Sequence, residues 1–154
     1  MSGLFKKLTN FSFGGTSAII TNISLIVGLN SKSNIIGGLL VIALADNISD
    51  SLGIHIFQES ETQHEASNLL STVSNFTVRL LVSLTFILII LLLPIYSAQI
   101  VAVIWGVILL SSMTYLIARA NKSDPIPEVV KHLAIAVVVI AASKFIGNEI
   151  RNLF

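Results

Sequence analysis

The sequence predicts an all-α, polytopic membrane protein with five transmembrane helices, its N-terminus inside and its C-terminus outside. Three observations carry that class. Of 154 residues, 54% are hydrophobic and only 11% are charged, against roughly 25% charged in ordinary soluble domains. Apolar stretches of spanning length recur along the chain, since a membrane helix needs about 20 mostly apolar residues. Proline-containing or polar breaks separate those stretches, as they must where irregular backbone cannot face lipid. The whole chain reads as a single transmembrane domain.

The spans follow in order. The first covers about residues 11–29 and is polar for a membrane helix, with Thr16, Ser17, Thr21, Asn22 and Ser24. The second, about 35–57, carries Asp46, Asn47, Ser49 and Asp50. A hydrophilic, acidic linker at 58–68 separates it from the third. The third and fourth, about 76–94 and 98–118, share one long apolar stretch that Pro94 divides, because proline interrupts the helical ladder. The run Leu84–Leu93 has no polar group beyond Thr85, and each Leu or Ile favours insertion by about 0.3–0.6 kcal/mol. The fifth, about 127–147, follows the loop Arg119–Pro125.

Orientation rests on lysine and arginine in the short loops. An inside N-terminus places Lys6, Lys7, Arg79, Arg119, Lys122 and Lys131 on the cytoplasmic side and Lys32, Lys144 and Arg151 outside.

Composition also excludes. A formal net charge of +1 without clustering argues against a nucleic-acid binder. With no cysteine, the chain has neither disulfides nor thiolate ligands. No nucleophile-plus-base constellation and no phosphate-cradling glycine loop occurs, so an enzyme is not expected. Membrane lipid is the expected surrounding, and a prokaryotic cytoplasmic membrane the expected location.

The candidate site lies on the second span. Asp46 and Asp50 are four residues apart and share a helix face. Each ionised Asp near a helix centre costs about 2.5–3.5 kcal/mol to insert, so the pair must face a bundle interior, a partner or water. Asn47 and Ser49 broaden the polar stripe, and Ser17 on the first span offers a facing hydroxyl. Oxygen groups from two helices suit a hard divalent cation or a proton relay; the alternative is helix-to-helix hydrogen bonding alone. Glu59, Glu61, His64 and Glu65 in the linker form a second acidic group. It is read as a cytosolic metal-entry site or as simple solvation, Glu61 and His64 having the Glu-x-x-His spacing of carboxylate–histidine sites.

Ala45-Asp46-Asn47-Ile48-Ser49-Asp50-Ser51-Leu52-Gly53, followed by Glu59-Ser60-Glu61, resembles the second-helix signature of the vacuolar iron transporter family. Gly14-Gly15-Thr16-Ser17 through Ser24-Leu25-Ile26-Val27-Gly28 resembles that family's first helix, and Lys144-Phe145-Ile146-Gly147 its closing segment. The resemblance implies five helices per chain, a homodimer with the ion path between subunits, and proton-coupled export of ferrous or manganous ions, with no permanently bound cofactor. It also exposes departures. The family's first-helix aspartate falls at Ser17, its second-helix glutamate at Ile42, and its second-helix methionine at Asp50. Exchange of a thioether for a carboxylate hardens the site. The alternative is a non-transporting membrane scaffold that keeps the family fold.

Overall fold

Pro94, Pro125 and the polar break at Asn30–Ser31 separate helical rods among the described residues. The computed structural model describes the backbone of residues 2–61 and 65–153 and the side chains of residues 14–60 and 69–153. The elements are α1 (Ser2–Gly28), α2 (Lys32–Val41), a five-residue π-turn (Ile42–Asp46), α3 (Asn47–Glu61), α4 (Glu65–Leu92), α5 (Ile95–Ala120) and α6 (Pro125–Leu153). α2, the π-turn and α3 form one continuous rod. Four helical stretches are long and apolar enough to cross a membrane: Lys32–Ser60, Leu69–Leu92, Ile95–Ala120 and Pro125–Leu153. Gly14–Gly28 is a shorter apolar helix. This is the build of an integral membrane protein, all-helical in its described residues.

The boundaries differ from those the hydropathy predicts, for one physical reason. Apolar runs mark where a helix meets lipid, while the helix itself continues wherever its backbone bonds are satisfied. The third helix therefore begins at Glu65 and not near residue 76, and the fifth runs from Pro125 to Leu153. The acidic linker shrinks, since α3 continues to Glu61 and α4 resumes at Glu65.

α1 lies innermost, packed against α4, α5 and α6. That position explains its polarity. Ala18, Ile19, Asn22, Ile23 and Ile26 are buried, so its hydroxyls and amide are shielded by other helices. The apolar core gathers Ile19, Ile23, Ile26, Phe86, Ile90, Ala98, Ala102 and Leu110 with Ile35 and Leu39. On α4 the opposite face shows Leu81, Leu84, Leu88 and Leu91 to the outside, as a lipid-facing surface requires.

Helix ends are closed by side chains. Lys32 donates from Nζ to the Leu91 and Leu93 carbonyls at 3.0 and 3.2 Å, the end of α4. The Gln99 amide nitrogen, in α5, donates to the Ile26 and Leu29 carbonyls at 2.9 Å each, the end of α1. These groups would otherwise be orphaned at a helix terminus. Lys122, at φ 58°, stops α5, with the Ser123 amide donating 2.9 Å back to the Ala118 carbonyl, as in a Schellman closure. Asp124 accepts from the Ile126 amide at 3.2 Å, and Pro125 needs no donor at the first helical position. Replacing Gln99→Leu is expected to destabilise the protein by about 1–3 kcal/mol, because two carbonyls lose their donor. Thermal unfolding in detergent checks this, and a melting point unchanged from wild type would exclude the capping role.

The π-turn sets the facing of the rod's second half. The Asn47 backbone N–H reaches the Ile42 carbonyl, five residues back. The Asn47 side-chain nitrogen donates to the Ala43 carbonyl at 2.9 Å, the acceptor its own N–H would take in a regular helix. Buried positions accordingly run Ile35, Leu39, Ala43, Asn47 and Ser51 at steps of four, longer than the 3.6 of an ordinary helix. Asn47 and Ser51 thus point at α4, and the two aspartates flank them.

Candidate ion site

Asp46 and Asp50 both bind one guanidinium. Arg79, midway along α4, places Nη2 2.9 Å from an Asp46 carboxylate oxygen and 2.7 Å from an Asp50 oxygen. Its Nε donates to Asn47 Oδ1 at 2.9 Å. The Arg79 side chain is fully buried, whereas those of Asp46 and Asp50 are 42% and 38% exposed. Two negative charges against one positive leave the cluster with a formal charge of −1. Charge-assisted bonds of this kind are the strong ones, and a planar guanidinium suits carboxylates better than an ammonium would.

Arg79 overturns one reading of the sequence. It belongs among the buried charges of the bundle and does not contribute to the loop-charge bias. Without it, the charge count behind an inside N-terminus rests on Lys6, Lys7, Arg119, Lys122 and Lys131 against Lys32, Lys144 and Arg151. The signal that finds Arg79 is the spacing Ser71, Asn75, Arg79, Ser83, a polar residue at every fourth place on α4. All four are buried, and each has a polar partner across the interface. Gln58 donates to Ser71 at 3.0 Å, Asn75 to Ser51 at 3.2 Å, and Asn22 of α1 to Ser83 at 3.0 Å.

The other candidate residues separate. Asn47 is buried and joins the cluster through Arg79. Ser49 lies exposed on the outward face of α3, and Ser17 is half-buried in α1. Among the described residues, neither hydroxyl hydrogen-bonds to an aspartate. Glu59 pairs with His55 instead, Oε1 to Nε2 at 3.1 Å, and His55 Nδ1 lies 3.2 Å from Thr72 Oγ1. The side chains of Glu61, His64 and Glu65 lie outside the described residues. No group of three or more His, Cys, Asp or Glu able to hold a metal ion occurs among the described residues.

The rod bearing the aspartates sits at the bundle's edge. α3 packs on α4, and α2 on α4 and α1. A Cβ added at Gly37 or Gly53 would meet nothing within 4 Å, and Val41, Leu44, Ile48 and Leu52 are exposed. The carboxylates therefore have α4 on one side and an open apolar face on the other.

What fold and site define together is a class: a helical membrane protein with an ion-paired carboxylate cluster inside its apolar spans. No family model matches the chain, and no curated protein or solved structure matches it.

Proposed function

We propose that the chain is a multi-pass transporter of divalent metal cations, with ferrous and manganous ions as cargo, moved out of the cytosol in exchange for protons. One observation carries the reading. Two carboxylates on adjacent turns share a single fully buried guanidinium and keep about two-fifths of their surface open. Intramembrane ionisable groups are costly and mark ion pathways by default.

Arg79 acts in this reading as a resident cation. An entering ion takes carboxylate oxygens that the guanidinium otherwise holds, and protons arriving at the same oxygens release it. One chain alone provides two carboxylates and a net −1, too little for a divalent ion. A second copy against the open α2–α3 face doubles the carboxylates and brings the site to −2. The homodimer, the five crossings and the inside N-terminus belong to this proposal. Alternation of helix direction supports the five crossings: Gly14 and Asn22 of α1 lie beside Asn75 and Ser83 of α4, so those helices run parallel. Gln58, Ser51 and Asn47 meet α4 in reverse order.

A second reading, a non-transporting scaffold, draws on the same cluster. Arg79 already holds both carboxylates, and Ile42, at the family's glutamate position, is buried. Uptake of manganous and ferrous ions into proteoliposomes under an imposed pH gradient separates the two. Transport by the wild type that falls to the protein-free level in Asp46→Asn/Asp50→Asn is the expected result. Folded, inserted wild type that moves neither ion would leave the scaffold reading standing.

A further inference from the structure

We propose that the groove between the end of α5 and the start of α6 seats one acyl chain of an anionic phospholipid, whose headgroup is held at the turn by Arg119 and Lys122. The groove follows from the residues that bound it. α5 is mostly aliphatic from Ile100 to Leu110, and then Ser111 and Ser112 put two small side chains in succession. Val129, across the hairpin on α6, is too short to fill the space they leave. With Tyr115, Leu116 and Ile126 these residues line a groove of about 570 Å³ that opens to the outside. Leu116 and Ile126 are 67% and 70% exposed, so the walls are apolar and unpartnered. α5 and α6 are the legs of a hairpin joined at 121–124. The groove therefore starts beside that turn and runs inward for about 8 Å, five residues of α5. That length takes the upper methylenes of one chain.

The mouth of the groove carries positive charge that the protein does not neutralise. Arg119, Lys122 and Lys131 stand there against Asp124 and Glu128. Glu128 is held by Lys131 at 3.1 Å, and Asp124 Oδ1 accepts from the Ile126 amide at 3.2 Å. Arg119 and Lys122 are exposed and form no ion pair among the described residues. Arg119 stands one turn beyond Tyr115 and Leu116, so it shares their face of α5. Lys122 lies in the turn itself, at φ 58°.

Charge decides the occupant. An apolar slot that ends at two free cations matches a molecule with an apolar tail and an anionic head. Each Lys or Arg near a headgroup favours an anionic lipid by about fivefold. A second copy seated here about a two-fold axis would instead bring the same cations against each other.

The full-length protein would be released from nanodiscs holding phosphatidylglycerol and phosphatidylcholine in equal amounts with the same acyl chains. Native mass spectrometry identifies the lipid it keeps. Wild type is expected to keep one phosphatidylglycerol over phosphatidylcholine by at least about tenfold. Arg119→Gln/Lys122→Asn should bring that ratio close to one. Neither side chain has a described partner to lose, and asparagine tolerates the positive φ, so the fold is expected to hold. Ser112→Phe fills the groove from an exposed position and should remove the preferred lipid. Equal retention of the two lipids by wild type would overturn the proposal, as would a preference that survives either variant. A lipid-free wild-type dimer that Ser112→Phe reduces to monomer would assign the groove to a second copy and overturn it as well. Retention reads lipid and not cargo, so it stands or falls apart from the uptake assay.

Discussion

Arg79→Ala is expected to cost about 3–5 kcal/mol of stability, because it strands two carboxylates whose counter-charge has been removed. In water, side chains as open as those of Asp46 and Asp50 would be rehydrated and the loss would shrink. Within a bilayer that open side meets less water than it would in solution, so the discount is smaller. Asn47 loses its guanidinium partner at the same stroke. Arg79→Lys should fall between, since a point charge cannot hold two carboxylates and an amide with the geometry of a fork. The decisive variant is the triple Arg79→Ala/Asp46→Asn/Asp50→Asn. It removes all three charges and should recover much of what Arg79→Ala loses. Unfolding in bicelles measures the series. Wild-type stability in Arg79→Ala, or no recovery in the triple variant, would show that the cluster is not electrostatically coupled.

The second large effect is expected at the crossing of α1 and α6. A Cβ on Gly147 would overlap the Gly28 carbonyl, and one on Gly28 would stand 3.2 Å from the Ser143 carbonyl oxygen. All of these are backbone atoms that no rotamer change can move aside. Gly147→Ala is therefore expected to destabilise by about 1–3 kcal/mol through overpacking, after offsetting the roughly 1 kcal/mol that alanine gains over glycine in a helix. Gly106→Ala provides a contrast, for its new methyl would meet the tip of Ile23, which can turn away. Gly53→Ala provides another, since nothing stands within 4 Å. It should raise the melting point of a monomer. A higher melting point for Gly147→Ala than for wild type would mean that the two backbones are not in contact.

Much of the architecture was legible in the residues. Apolar length marked the membrane class, and Pro94 and Pro125 marked two of the breaks. The shared face of Asp46 and Asp50 followed from their spacing alone. Their partner did not, although its signal was present. Arg79 stands one residue before the long apolar run, where hydropathy makes it a flanking charge; only the four-residue period of Ser71, Asn75, Arg79 and Ser83 places it inside. Ser17 and Ser49 show the opposite failure. Both suit an oxygen ligand in type, but Ser49 faces outward and Ser17 belongs to another helix face. A list of residue types cannot rank two sides of a helix whose neighbours are unknown. The π-turn was illegible for a related reason, because nothing in Ile42-Ala43-Leu44-Ala45-Asp46 breaks an ordinary helix locally.

That turn uncouples the height of a residue from its compass bearing. A regular helix ties the two together, each residue adding about 1.5 Å of rise and 100° of rotation. The surplus residue inside Ile42–Asp46 is absorbed with almost no net rise or rotation, since Asn47 takes the place that the residue before it would hold in a regular helix. Tightening the turn to a regular helix without shortening the chain would move the lower half of the rod by only about 1.5 Å while swinging its whole circumference by roughly 100°. Asp46, Asn47, Asp50 and Ser51 would keep their depth and lose their direction, so the chain stores the aim of its charged cluster in five hydrophobic-looking letters that lie almost entirely before it.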